Sequence, residues 1–312
     1  MIGYHYQKWF FDFLTDRGDY LLFFLSMVGF LGRRVSSLSY RVRLNCAELR
    51  RRTIPLSASF RVGTGGDLDC EGRDWSFRAG ERGGRLRFQE AGFRVRLEYP
   101  ESGSMAFDPG LTVKQGAKGF LRWRPLCLTG GIRGEIMLDG ATWALHRGIG
   151  YIDHVSSNIP PYAIPARRIM WGRAAREDFN LTYTWIAGRG MSWAAVYVRI
   201  GDEKIVMPVT LTDGPAKAGT KQDMVFPDQI SLRGASAETG LAAVVRNRAA
   251  VVTDRFLDDP HVRPRFANRI LGKIARNPRS TKYLADFDIR LDRGGSVLAM
   301  TMPGINECAV FD

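Results

Sequence analysis

Hydrophobic and polar positions alternate along much of the chain. In Ser39-Tyr-Arg-Val-Arg-Leu44, Tyr40, Val42 and Leu44 fall on one side and Arg41 and Arg43 on the other. Phe93, Val95, Leu97 and Tyr99 alternate in the same way with Arg94, Arg96 and Glu98. A period of two sends successive side chains to opposite faces and marks a half-buried antiparallel strand. Segments 8–14, 20–30, 57–62, 85–89, 119–124, 132–138, 141–145, 181–187, 192–200, 204–212, 228–233, 241–246, 284–291 and 296–302 are further strand candidates. Gly63-Thr-Gly-Gly66, Gly80-Glu-Arg-Gly-Gly84 and Arg293-Gly-Gly295 supply turns between them. Many short strands with frequent turns predict an all-β protein of barrels or sandwiches.

One stretch has another period. Asp258-Asp259-Pro260 offers a helix start, Phe266, Ile270 and Ile274 recur beside Leu271, and Asn277-Pro278 stops the pattern. Arg263, Arg265, Arg269, Lys273 and Arg276 occupy the opposite face. The pattern predicts one amphipathic helix near the C-terminus, over 262–276, that either covers a barrel end or lies on an anionic membrane. Ser156-Ser157-Asn158 followed by Pro160, Pro161 and Pro165 reads as an extended connection. It divides the chain into two all-β domains, 1–157 and 158–312.

Charge modifies this picture less than its size suggests. The 312 residues carry 45 Lys+Arg against 32 Asp+Glu, a formal charge of +13, and 45% of them are hydrophobic. That composition excludes a disordered or fibrous chain. Only eight of the basic residues are Lys; the other 37 are Arg, spread along the whole sequence in register with the strands. Arginines on the wet faces of strands argue against a nucleic-acid partner, which calls for a cluster or stripe. Cys46, Cys70, Cys127 and Cys308 stand far apart, as small buried hydrophobes of a reducing compartment do. The apolar run from Tyr20 to Leu31 is too short to span a bilayer, and the acidic residues before it do not suit a signal peptide. A cytoplasmic protein follows, with peripheral contact to an anionic membrane as its alternative.

No phosphate-binding loop, nucleophile elbow or zinc-protease motif is present. His146 and His154 lack a trustworthy zinc-ligand spacing, so no metal is expected. The densest unusual segment is Gly148-Ile-Gly-Tyr-Ile-Asp-His154. Alternation sends Tyr151 and Asp153 to one face and Ile152 and His154 to the other. An Asp inside an apolar barrel has its neutral acid favoured, and it can protonate a weak base such as an alkene. The bland alternative is that Asp153 and His154 merely satisfy each other. Trp123, Trp143, Trp171, Trp185 and Trp193 fall in or beside strands, where they either line a cavity or fill a core.

Three segments together resemble one family. Trp9-Phe-Phe-Asp-Phe-Leu-Thr-Asp-Arg-Gly18 is similar to the opening strand of the carotenoid 1,2-hydratase (hydroxyneurosporene synthase) and AttH-like lipocalin superfamily. Gly150-Tyr-Ile-Asp-His154 resembles its Gly-x-Tyr-x-Asp-His segment, and Ile169-Met-Trp-Gly-Arg173 its following Trp-x-Trp-Gly-Arg strand. The resemblance implies two lipocalin-like antiparallel β-barrel domains with a ligand cavity near their junction. It implies a cofactor-free enzyme acting on a hydrophobic isoprenoid or polyene. Alkene protonation there leads to hydration or to cyclisation, while Diels–Alder relatives mainly fold a polyene; a non-catalytic lipid-binding lipocalin is the remaining alternative. Asp153 is the expected acid, with His154 and Tyr151 orienting it or accepting a proton. Trp9, Asp12, Trp171, Asp178, Tyr183 and Trp185 are the expected substrate contacts. The chain departs from the family where Val155-Ser-Ser-Asn158 replaces Asn-Trp-Gly and where Ile169 replaces the first Trp. A changed wall points to a changed substrate.

Overall fold

The computed structural model describes residues 4–15, 17–30, 32–45, 47–56, 61–63, 66–80, 82–100, 111–160, 163–188, 191–214, 227–255 and 279–311. Two units emerge, Met1–Pro160 with Arg176–Asn180, and Pro161–Ala175 with Leu181–Asp312.

The first unit is one curled antiparallel sheet. Its strands are β1 (His5–Leu14), β2 (Tyr20–Phe30), β3 (Arg33–Leu44), β4 (Ala47–Leu56), β5 (Arg61–Val62), β6 (Leu68–Glu71), β7 (Trp75–Gly80), β8 (Gly83–Glu90), β9 (Phe93–Tyr99), β10 (Leu111–Gln115), β11 (Gly119–Leu138) and β12 (Ala141–Ser157). The order is β4-β3-β2-β1-β12-β11-β9-β8-β7-β6-β5, with β10 on β11. The second unit is a closed barrel of β13 (Ala166–Ala175), β14 (Phe179–Gly188), β15 (Met191–Ile200), β16 (Glu203–Asp213), β17 (Gln229–Ala235), β18 (Thr239–Arg255), β19 (Arg279–Arg293) and β20 (Ser296–Val310). The all-β expectation and its two lipocalin-like halves hold. Among the described residues no helix is long and apolar enough to cross a membrane.

Alternation explains the first core. Trp9, Phe11 and Phe13 of β1, Phe23 of β2, Tyr40 of β3, Phe77 of β7, Phe88 of β8 and Phe93 of β9 all turn to one side of the sheet. Phe23 stacks on Tyr40 at 5.5 Å between centroids and meets Phe77 at 6.0 Å and Phe88 at 5.6 Å. Rings from strands far apart in the sheet order touch, so the sheet must curl around them. Each such pair adds about 1 kcal/mol beyond burial. Polar groups fasten the same curl. The Tyr40 hydroxyl donates to Glu90, which also accepts from Arg52 Nη1 at 2.9 Å and lies 3.4 Å from Arg50 Nε. Burial and the adjacent Glu90 carboxylate hold the Tyr40 phenol well above its usual pKa, so it stays a donor.

The strands run longer than local alternation indicates. Segments 119–124 and 132–138 are one strand, β11, because register shifts at Pro125/Cys127 and Thr129/Ile132 break the period without breaking the pairing. β12 runs on from 141–145 to Ser157 and carries the whole Tyr151–His154 segment. β4 has no alternation signal: it is the terminal strand of the path, where three consecutive arginines and Pro55 are tolerated. Of segment 57–62, only Arg61–Val62 is described as strand. The helix expected over 262–276 lies outside the described residues.

Phe23→Ala removes the ring that joins three others. It should lower stability by about 3–5 kcal/mol in urea titration, because that aromatic junction cannot collapse without uncurling the sheet.

Candidate active site

The chemistry-bearing segment is fixed by the pairing of β1 with β12. Their register sets Trp9 opposite His154, Phe10 opposite Asp153, Phe11 opposite Ile152 and Asp12 opposite Tyr151. Opposed residues share a face. Trp9, Phe11, Ile152 and His154 therefore look into the aromatic core, and Phe10, Asp12, Tyr151 and Asp153 occupy the reverse face. Both faces are buried here: Asp12 is 1%, Tyr151 0% and Asp153 4% exposed.

A neighbouring strand supplies the partner of Asp153. Pro125 of β11 lies opposite Asp153, next to the register shift. Two residues earlier, the Trp123 indole N–H donates to Asp153 Oδ2 at 3.0 Å. Tyr151 lies two residues before Asp153 on the same face. Burial, the Asp153 charge and a hydrogen bond toward Asp153 raise the Tyr151 phenol well above its usual range. Tyr151 thus remains protonated beside the carboxyl group. Asp12 brings a second carboxyl group to this face, diagonal to Asp153, and its backbone carbonyl accepts from the Tyr99 hydroxyl at 3.0 Å. Phe10 adds an apolar wall, its ring 6.2 Å from Tyr151 and 5.0 Å from Phe24. Two carboxyl groups, a phenol, an indole and a phenyl ring make a site that can give up a proton and shelter a cation.

His154 belongs to a different environment. Its ring stacks on Trp9 at 4.7 Å and 22°. The Trp9 indole N–H donates to the Gly66 carbonyl at 2.7 Å, which draws the 66–67 turn over the imidazole. Gly66 has φ +93°, and a Cβ there would sit 2.1 Å from His154 Nδ1. Only glycine fits both the backbone and the gap. Burial first, then the positive charges of Arg124, His5 and Arg122, bring the His154 pKa down to about 4. His154 is therefore a neutral imidazole at pH 7 and faces away from Asp153.

The remaining sequence candidates divide between two surroundings. Tyr183 is inside the second barrel, its hydroxyl donating to Asn306 Oδ1 at 2.5 Å, and Asn306 in turn donates to Asn247 at 2.9 Å. Trp185 carries the Arg168 guanidinium 5.6 Å from its ring, and Trp171 carries the Lys282 ammonium at 5.7 Å. Asp178 joins neither set. It is exposed in the turn between β13 and β14, where the Arg176 N–H···Phe179 carbonyl bond at 2.7 Å closes a tight hairpin. The side chain of His146 is outside the described residues, and among those described no His/Cys/Asp/Glu group is arranged to hold a metal.

Two features escape sequence reasoning. Trp123 is visible as a strand tryptophan, but its tie to Asp153 depends on the bulge at Pro125/Cys127. Lys282 and Glu307 face each other across β19 and β20 as a buried ion pair, and Ser280 donates to Glu307 at 2.6 Å. Alternation outlines those strands only over 284–291 and 296–302, so both charges lie past the predicted ends. A cavity of about 730 Å³ also opens in the first unit beside Ile54, Leu56, Trp75 and Phe88, with Arg52 and Glu90 among its lining.

Two measurements probe the His154 side. Gly66→Ala should destabilise by roughly 2 kcal/mol or more in urea titration, through strain at positive φ and collision with the ring. Because the folded pKa of His154 lies below the free value of 6.5, its contribution to stability is complete above about pH 6.5. It is lost as pH falls toward 4, amounting to roughly 3 kcal/mol at the limit. His154→Asn should remove that part of the acid dependence when unfolding is compared at pH 7 and pH 4.

Comparison with known proteins places the fold. No family model matches the sequence, and no curated protein matches it. Kievitone hydratase from Nectria haematococca superposes with a TM-score of 0.56 at 12% identity, over 99% of this chain and 89% of that one. A protein assigned as an AttH from Nitrosomonas europaea superposes with a TM-score of 0.54 at 14% identity, over 99% and 93%. The chain thus shares the fold of these two proteins along nearly its whole length.

Proposed function

We propose that this chain is a cofactor-free hydratase of a hydrophobic isoprenoid or polyene, with Asp153 as the acid. The observation that carries the reading is the buried Trp123–Asp153–Tyr151 constellation with Asp12 beside it. Burial acts toward the neutral acid and the Trp123 donor toward the carboxylate, and the proposed chemistry runs from the protonated form. Asp153 gives its proton to one alkene carbon, the π pair forms the new C–H bond, and the other carbon becomes a tertiary cation. Phe10, Tyr151 and Trp123 place aromatic rings beside Asp153, where rings can attract such a cation. Water adds to it and the proton it sheds returns to Asp153, directly or by way of Asp12, so the enzyme ends as it began. Capture by a second alkene or hydroxyl of the same substrate gives ring closure instead, and the proton lost from the new cation or oxonium returns to Asp153. That one superposable structure is named a hydratase supports the assignment of chemistry.

The test is a panel of prenylated phenols and acyclic polyenes incubated in isotopically labelled water and read by mass spectrometry. Hydration adds one labelled water, and cyclisation gives an isomer. Asp153→Asn should lower turnover by about 10²–10⁴-fold with the fold intact. Trp123→Phe should lower it less, by about tenfold, since it removes one hydrogen bond to the acid. Turnover unchanged in Asp153→Asn refutes the acid. An isomeric product made equally well by that variant assigns catalysis to the shape of the site, and ligands recovered unchanged from the whole panel assign binding alone.

A further inference from the structure

The core-facing side of the first sheet carries basic groups at one end that the alkene chemistry does not use. Register sets Arg124 of β11 opposite His154, and His154 opposite Trp9. The next row on the same face sets Arg122 opposite Ser156, and Ser156 opposite Gln7. In the row after that, His5 lies opposite Gly29, and Gly29 opposite Arg34 of β3. Opposed residues share a face, and so do residues two apart along a strand. Arg124, Arg122, His154, His5 and Arg34 therefore all stand on the Trp9 side of the sheet, with Asp153 on the other side. Burial falls from row to row. Arg124 and His154 are 6% and 7% exposed, Gln7, Ser156 and His5 are half-buried, and Arg122 and Arg34 are exposed. This end of the face thus opens to water beside the buried imidazole.

The charges acting on the His154 ring are of one sign. They come from Arg124, His5 and Arg122, and Arg34 acts on His5 in the same sense. Gln7 fixes the His5 ring, its Nε2 2.8 Å from His5 Nε2. The acid nearest in sequence to the covering turn is Asp67, whose Oδ1 lies toward Gly80, 3.2 Å from where a Cβ would stand. His154 also keeps an unused group. Its Nδ1 faces Gly66, while Nε2, on the far side of the ring, is buried and has no hydrogen-bond partner among the described residues. A buried polar atom left in this way calls for a water or an ion. Where the neighbouring charges are positive, the favoured ion is an anion.

We propose that Arg122, Arg124 and His154 form a binding site for an oxyanion, the carboxylate or phosphate group of a small ligand that enters past His5 and Arg34. Guanidinium N–H groups donate to its oxygens, and the neutral imidazole adds a donor when its proton sits on Nε2. Trp9 holds the ring in place by stacking, and Gly66 leaves room for it. The site goes beyond the alkene chemistry and stands independently of Asp153, which faces the other way.

Calorimetric titration of the full chain at low ionic strength, with inorganic phosphate and with acetate, tests the idea. At least one of the two should bind with Kd below about 1 mM. Tighter phosphate assigns a phosphorylated ligand and tighter acetate a carboxylate, and either supports the site. Arg122→Gln should weaken binding by about tenfold or more, the loss of one charge-assisted hydrogen bond. Arg87→Gln removes the same charge at an exposed position between core-facing Leu86 and Phe88, and should leave binding within about twofold. His154→Phe keeps a ring against Trp9 without a donor and should weaken binding severalfold. Circular dichroism confirms that each variant folds. In the unsubstituted chain at pH 7, saturating the tighter anion should move the His154 ring nitrogen resonances toward the form protonated at Nε2. Failure of both anions to bind, equal losses in Arg122→Gln and Arg87→Gln, or ring resonances that stay in place at saturation overturns the proposal.

Discussion

The pairing of β1 with β12 is the constraint from which the candidate site follows. Nine residue pairs, from Tyr6–Ser157 to Leu14–Ile149, join the first strand of the chain to the last strand of its sheet. A slip of one residue would turn Asp153 and Tyr151 into the aromatic core and push His154 out of it. The penalty for that slip lies mainly in Trp9, Phe11 and Phe13, which would leave the core together. The apolar side of β1 thereby sets the polar side of β12, and the candidate acid is positioned by residues on the opposite face of the sheet.

Much of this was legible in the sequence. Period-two alternation revealed the strands and the opposite facing of Asp153 and His154, because both depend only on local geometry. The Trp9–Gly18, Gly150–His154 and Ile169–Arg173 segments pointed to the fold that the structural comparisons display. What remained hidden depends on chain segments meeting. Trp123 reaches Asp153 only because β11 shifts register at Pro125/Cys127, and such a shift has no clear signature in one sequence. Lys282 and Glu307 sit where a charged residue normally ends a strand, yet each compensates the other across one rung. Asp178 looked equivalent to Asp12 as a candidate, but a hairpin turn and a strand interior give the same side chain opposite surroundings.

The two tryptophans near the segment divide the labour. Trp123 spends its indole N–H on a carboxyl oxygen of Asp153, while Trp9 spends its own on the carbonyl of Gly66 and leaves its ring face for an imidazole. Asp153 and His154, adjacent in sequence, thus acquire opposite characters: one a carboxyl group held by donors, the other an uncharged ring shielded from protonation. An Asp-His dipeptide does not imply an Asp–His couple when a strand separates its two members by face.

The closed second barrel has a consequence for how the protein is made. Its first strand, β13, completes the ring only by pairing with its last, β20, so Arg168 must find Val310 near the end of the chain. Until β20 is synthesised, β13 and β19 each present an unpaired edge to other chains. Closure over so long a separation is entropically slow. The nascent unit therefore passes through a window of vulnerability to intermolecular strand pairing, which shuts when its final strand inserts.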